Sequence, residues 1–197
     1  VDVGEVATLE EVRAVTAWAT FHGYSLETVD LANAYLQCAF PYDHCLRLPH
    51  SIWRHFPAEL QPQGGGDFVW PMLKAGYGHP LSGHLFIQKL RQWMEKNGWE
   101  KRGAGLYAKG RCTVALYVDD LLAAGPRDEL DQFWTQIGQE FEWKAEPAQC
   151  SEFLGIRFTR KSAYEWHLDL SDYTLDTVTQ FESEWGRTVR PERTPGV

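Results

Sequence analysis

The chain has 197 residues, 44% of them apolar and 14% aromatic, with nine Trp; this excludes a disordered chain and is enough for one packed domain. No apolar run approaches the roughly 20 residues of a membrane span. The net charge of −8, taken as an average, speaks against nucleic acid as a partner.

Residues 8–22, TLEEVRAVTAWATFH, predict a helix. Thr8 is its N-cap, Glu10 and Glu11 sit in the first turn, and Gly23 stops it. YSLETVDL predicts a strand running into Asp30, and CLRLP a short strand ended by Pro49. QPQGGGD (61–67) reads as a loop, with FVW a short strand after it. Residues 81–97 predict the strongest helix, with Leu81, Leu85, Leu90, Trp93 and Met94 along one side and Asn97-Gly98 as the stop. GLYAKG and RCTVALYV are strand-like runs joined by a short polar turn, and LLAAG continues beyond the pair Asp119-Asp120. Residues 126–141 predict a helix with Leu130, Phe133, Trp134, Ile137 and Phe141 on its buried stripe. EWKAE, EFLGIRFT and YEWHLDL read as three further strands, Ser171 as the cap of a last helix carrying Leu175, Val178 and Phe181, and RPERTPGV as a linker. This order predicts an α+β fold, an antiparallel sheet with helices on one face. A split βαβ, ferredoxin-like arrangement would put the Asp30 strand beside the hairpin holding Asp119 and Asp120.

Cys38, Cys45, Cys112 and Cys150 form no CxxC pair, so a reduced, intracellular setting is expected. His44, Cys45, His50 and His55 fit no standard zinc spacing and read as a polar loop. The chain opens VDVGE without a Met or a secretory signal, and is expected to be part of a longer protein.

Charge is unevenly placed. Residues 1–73 and 121–197 are each net −6, whereas 74–111 hold eight basic side chains against Glu95 and Glu100, net +6. That strip, directly before the Asp pair, fits phosphate binding and fits a solvated helix face equally well. Asp119 and Asp120 could be ordinary turn residues. Their apolar flanks, however, imply a half-buried turn, and two carboxylates stay ionised there only when something compensates them. A hard divalent cation does so, and Asp30 is placed to supply a third carboxylate.

YVDD at 117–120 is similar to the catalytic motif of reverse transcriptases. The order of motifs resembles the polymerase domain of copia-type LTR retrotransposons: TVDLANAYL (28–36), LRLP (46–49), MLKAGYGHPLSGHLFIQKL (72–90), ALYVDDLLAAG (115–125), EFEWK, EFLGIRF, and finally HLDLSDY and TPG. The resemblance implies a polymerase palm with partial fingers over 8–186, an N-terminal remnant over 1–7 and a C-terminal linker over 187–197. It implies an RNA-directed DNA polymerase in which Asp30, Asp119 and Asp120, with the backbone of Leu31, hold two Mg²⁺ or Mn²⁺ ions that act on a primer 3′-hydroxyl and on the leaving pyrophosphate. Tyr35 would be a steric gate against a ribose 2′-hydroxyl; its alternative is an ordinary core aromatic. Tyr117 and Val118 would lie near the primer end. Lys74 and Lys89 would contact nucleic acid, as would the hairpin of Phe153, Leu154 and Gly155. Lys144 is a candidate general acid for pyrophosphate, against the alternative of an exposed strand Lys. Implied partners are a primed RNA or DNA template, deoxynucleoside triphosphates, and the RNase H and integrase domains of a polyprotein. The implied location is intracellular, in a cytoplasmic particle, with no membrane. The sequence departs from the family pattern at Ala32, Gly83 and His84, and by one residue between Lys74 and Tyr77. The family's basic fingers segment is expected before residue 8, and nothing in VDVGEVA matches it.

Two other readings compete: a degenerate domain that folds or binds nucleic acid or protein without catalysis, and an unrelated phosphoryl-transfer enzyme. The last lacks a phosphate loop, since GGG at 64–66 is not followed by Lys-Ser/Thr.

Overall fold

The computed structural model describes residues 5–61 and 68–190. Helix α1 (Leu9–His22) starts at Thr8, whose hydroxyl accepts the Glu11 N–H while the Glu11 carboxylate accepts the Thr8 N–H. It ends at Gly23, in the left-handed region with φ 68°. β1 (Ser25–Asp30) follows, then a 3-10 turn over Ala34–Gln37. β2 (Cys45–Arg47) and β3 (Val69–Pro71) pair as a separate ribbon, with the short helix α2 (His50–Trp53) in their connection. The expected loop at 61–67 lies, after Gln61, outside the described residues, as does the linker from 191 onward. After α3 (Ser82–Lys96) come β4 (Glu100–Lys101), β5 (Leu106–Lys109), β6 (Cys112–Tyr117) and β7 (Asp120–Gly125). The chain closes with α4 (Arg127–Ile137), β8 (Ala148–Gln149), β9 (Glu152–Phe153), β10 (Ile156–Ser162), β11 (Glu165–Asp169) and α5 (Ser171–Trp185).

Six strands form one antiparallel sheet in the order β4-β5-β6-β7-β1-β8. The fold class is α+β as expected, and β1 lies beside the β6–β7 hairpin. The expectation of helices on one face is corrected. Side chains alternate across a strand, so Leu121 and Ala123 of β7 enter one core with Phe86, Leu90 and Met94 of α3 and Leu130, Phe133 and Ile137 of α4. Leu122 and Ala124 enter the other core with Val12, Val15 and Ala19 of α1 and with Ile156 and Phe158 of the β9–β10–β11 sheet. The run LLAA is apolar at consecutive positions because both faces of β7 are covered.

Three further expectations shift. EWKAE is not a strand: residues 142–144 meet β1's end through a single bridge, Leu31–Trp143, and the two-residue β8 pairs further along β1. Pro147 between them has no N–H to donate. EFLGIRFT is split into β9 and β10 by a two-residue turn, because Leu154 and Gly155 both take positive φ, 51° and 73°. The last helix forms, but Ser171 is its first residue rather than its cap, with Asp169 Oδ1 accepting the Ser171 N–H, and α5 buries none of its residues.

Leu122 is fully buried between α1 and the second sheet. Leu122→Ala is expected to lower unfolding free energy by about 3 kcal/mol, read as a lower urea midpoint at unchanged slope.

Candidate metal and nucleotide site

β6 ends at Tyr117 and β7 begins at Asp120, which are paired, so Val118 and Asp119 form a two-residue turn. Val118 takes φ 54°. For a β-branched side chain this is strained backbone, of the kind that persists where the surroundings over-determine it. The turn is tied to the neighbouring strand end: the Leu31 N–H donates to the Asp119 carbonyl at 2.8 Å. In the β1–β7 register Asp30 stands opposite Asp120. Asp119 and Asp120, about ninety residues beyond Asp30 in sequence, therefore lie with it at one end of the sheet.

Their electrostatics follow. Burial pushes the Asp120 carboxyl up to about 6, and the charges of Asp119 and Asp30 push the same way against the opposing pull of Lys144. The Lys144 ammonium lies 2.5 Å from Asp30 Oδ2, and that hydrogen bond, then the Asp30 charge, hold its pKa above the ordinary lysine range. Asp30 Oδ1 is buried with no hydrogen-bond partner. An acceptor-only oxygen left orphaned beside two more carboxylates fits a hard divalent cation. Asp30, Asp119 and Asp120 are the carboxylates that could turn toward such an ion; as they stand, among the described residues no group of three His, Cys, Asp or Glu side chains is arranged to hold a metal ion.

Tyr35, on the 3-10 turn after β1, lies within electrostatic reach of this group. Burial first, then the charge of Asp119 and the Tyr77 phenol, raise its hydroxyl pKa. Its ring packs 4.8 Å from that of Tyr77 and 6.4 Å from that of Phe86. A Cβ on Gly83 would stand 3.6 Å from its hydroxyl. Gly83, one of the departures from the family pattern, thus lies directly against the Tyr35 hydroxyl. Tyr77 was not singled out in the sequence, where only its place in the Tyr-Gly segment marks it. Tyr117 is half-exposed beside the turn.

Other expected contacts are placed elsewhere. Lys89 donates to the Gln37 carbonyl at 3.1 Å, pairs with Glu140 at 3.0 Å and lies over the Phe141 ring, so its ammonium is committed inside the fold. Phe153 is buried in the second core, and the turn it precedes packs Gly155 against the Tyr173 ring. The Phe153 side chain therefore supports its hairpin from within and does not present itself to a strand. Lys74 is exposed, and its backbone bridges to Ala39. The basic strip is not one surface. Arg91 and Lys101 engage Glu5, Arg102 engages Glu100, and Arg111 engages Asp128 and Glu129. Lys109 and Arg111 flank the β5–β6 turn, at the opposite end of β6 from Asp119. The loose His/Cys group disperses as well: His44 Nδ1 meets His79 Nε2 at 3.1 Å, and His50 packs on Trp53. All four cysteines are free thiols, Cys45 being the exposed one. Among the described residues no helix is long and apolar enough to cross a membrane.

Comparison with known proteins bears on the chain as a whole. The family model described as reverse transcriptase (RNA-dependent DNA polymerase) matches residues 2–190. The chain belongs to that family, the reverse transcriptases of copia-type LTR retrotransposons. A curated relative, a putative transposon Ty5-1 protein of Saccharomyces cerevisiae, is 26% identical over an alignment of 123 residues that covers 59% of this chain and 40% of that protein.

Two outcomes follow from the site. Val118→Gly removes the strained β-branched residue and is expected to stabilise the chain by about 1 kcal/mol in urea denaturation. The folded chain keeps the Asp120 proton up to about pH 6, whereas an ordinary Asp releases it near 3.8. The folded state binds more protons between those values, so this group's contribution to stability falls as pH rises from about 4 to about 6. In thermal melts without divalent cations, Asp120→Asn is expected to flatten that part of the pH profile and to raise Tm at neutral pH.

Proposed function

We propose that this chain is the polymerase palm, with partial fingers, of a retrotransposon reverse transcriptase. Within the longer protein it transfers nucleotidyl groups from deoxynucleoside triphosphates to a primer 3′-hydroxyl on an RNA or DNA template. The observation that carries the proposal is the Asp30–Asp120 pairing across β1 and β7, with Asp119 in the adjoining turn. In a member of this family, that arrangement supplies acceptor oxygens for two Mg²⁺ or Mn²⁺ ions from two neighbouring strand ends, with the Leu31 backbone alongside. Bound divalent cations supply the Lewis acidity that makes a 3′-hydroxyl nucleophilic and offsets charge on the departing pyrophosphate.

The chain's own residues do the rest. Tyr35, wedged against Tyr77 and Phe86 beside Asp119, is a rigid wall that excludes a 2′-hydroxyl. Tyr117 and Val118, at the tip of the hairpin, face the primer end. Leu154 and Gly155 form a tight turn for the primer strand, and Lys74 is an exposed cation for the template. Lys144, at the same carboxylates, is the candidate proton donor to pyrophosphate. The six-stranded sheet, with β1 beside the β6–β7 hairpin, is read as the ferredoxin-like core of such a palm. The proposed partners are the RNase H and integrase domains of the same polyprotein, in an intracellular particle.

One observation favours a second reading, a folded domain that no longer polymerises: the Asp30 carboxylate is already engaged by Lys144, and Gly83 and His84 replace the usual pair of that segment. Primer extension separates the two. The longer protein containing this chain is expected to extend a primed template in Mg²⁺ or Mn²⁺, with Asp119→Asn reduced to background. Extension unaffected by Asp119→Asn would remove Asp119 from the ligand set, and a wild-type protein silent in both ions would establish the second reading. Tyr35→Ala is expected to raise ribonucleotide incorporation relative to deoxynucleotide by roughly tenfold or more.

A further inference from the structure

We propose that Lys144 is the resident counter-ion of the carboxylate site: it occupies Asp30 when no divalent cation is bound and yields that carboxylate to the cation. The inference rests on the metal-binding reading of Asp30, Asp119 and Asp120 given above. Four observations carry it. The Lys144 ammonium lies 2.5 Å from Asp30 Oδ2, where a cation would also find its ligand. The other oxygen, Oδ1, is buried without a partner, so one ammonium leaves half of the carboxylate's acceptor capacity unused. The charges of Asp119 and Asp120 also act on the Lys144 ammonium, more weakly than that of Asp30, so it partly offsets more than one member of the group. Finally, the pairing is renewable. The Lys144 N–H donates to the Asp30 carbonyl at 2.9 Å and the Ala32 N–H to the Glu142 carbonyl at 2.8 Å, closing the Leu31–Trp143 bridge. Main-chain bonds therefore hold Lys144 beside Asp30 whatever its side chain does.

The side chains of Lys144 and Asp30 are 60% and 40% exposed, so the pair is partly solvated and weak enough for a divalent charge to displace. A flexible four-carbon stem lets the ammonium leave while the backbone stays. Once displaced it remains at the edge of the site, facing the phosphates of whatever nucleotide enters. Metal binding and phosphate contact by Lys144 are then the two halves of one exchange, and the metal-free site never holds three uncompensated carboxylates.

The test uses this chain and needs no turnover. Lys144→Gln is expected to bind Mg²⁺ and Mn²⁺ about two- to fivefold more tightly than wild type, by Mg²⁺-dependent thermal shift and by Mn²⁺ electron paramagnetic resonance. Lys144→Arg, which keeps the charge, is expected to stay near the wild-type affinity. In the wild type, the Lys144 Nζ resonance, assigned by its loss in Lys144→Arg, is expected to move during a Mg²⁺ titration with the same midpoint as the thermal shift. Matching urea midpoints for the variants would confirm that each is folded. Cation binding unchanged in Asp30→Asn would overturn the metal-site reading and the inference with it. Cation binding lost in Asp30→Asn, with no gain in Lys144→Gln and a static Lys144 resonance, would overturn the counter-ion role alone.

Discussion

Mutual repulsion among Asp30, Asp119 and Asp120 is the constraint on which the rest of the structure depends. Like charges gathered at the ends of two paired strands favour separation, and the half-buried setting of Asp120 adds a desolvation penalty. The fold holds them together by making the strands that carry them its most enclosed elements. β6 and β7 lie inside the six-stranded sheet with helices on one face and α1 plus a second sheet on the other. Movement of the hairpin end would disturb both cores at once, and close-packed interiors do not yield gradually.

The same enclosure explains the strain at Val118. A turn with positive φ at its first central position favours Gly, and Val there is tolerated because the flanking strands and the Leu31–Asp119 hydrogen bond leave no other path. The result is a stiff tip that presents Asp119 next to Asp30. Tyr35 gains its fixed orientation in the same manner, from Tyr77, Phe86 and the missing side chain of Gly83. The site is thus built on rigid elements, with Lys144 the one charged group in it that has a long flexible stem.

Most of the elements were legible. Thr8, Glu11 and Gly23 mark the ends of α1 by local hydrogen bonds and one left-handed residue, and such signals lie within a few positions of each other. The β6–β7 hairpin shows as two apolar runs broken by two acids. The gathering of Asp30 with Asp119 was legible as an expectation of split βαβ order. Harder to see was what depends on partners far away in the chain. The strip at 74–111 looked like a phosphate track because its cations are neighbours in sequence. In the fold Glu5, Glu129 and Glu140 reach Arg91, Arg111 and Lys89 from outside the strip. The family resemblance put Phe153 in a hairpin that grips the primer, yet its side chain faces inward. EWKAE has the composition of a strand, but Pro147 and the short edge beside β1 leave it one bridge.

The sequence by itself determined the motif order, the hairpin, the helix caps and the three carboxylates, because each of these is written in the identity of adjacent residues. Only the tertiary structure decided that β1 lies against β7 in the register that sets Asp30 opposite Asp120, that the sheet is covered on both sides, and that Lys144 rests on Asp30. Those outcomes depend on pairings between residues far apart in the chain, ninety positions for Asp30 and Asp120, whose energies come from burial and charge in the assembled fold and have no local signature in the chain.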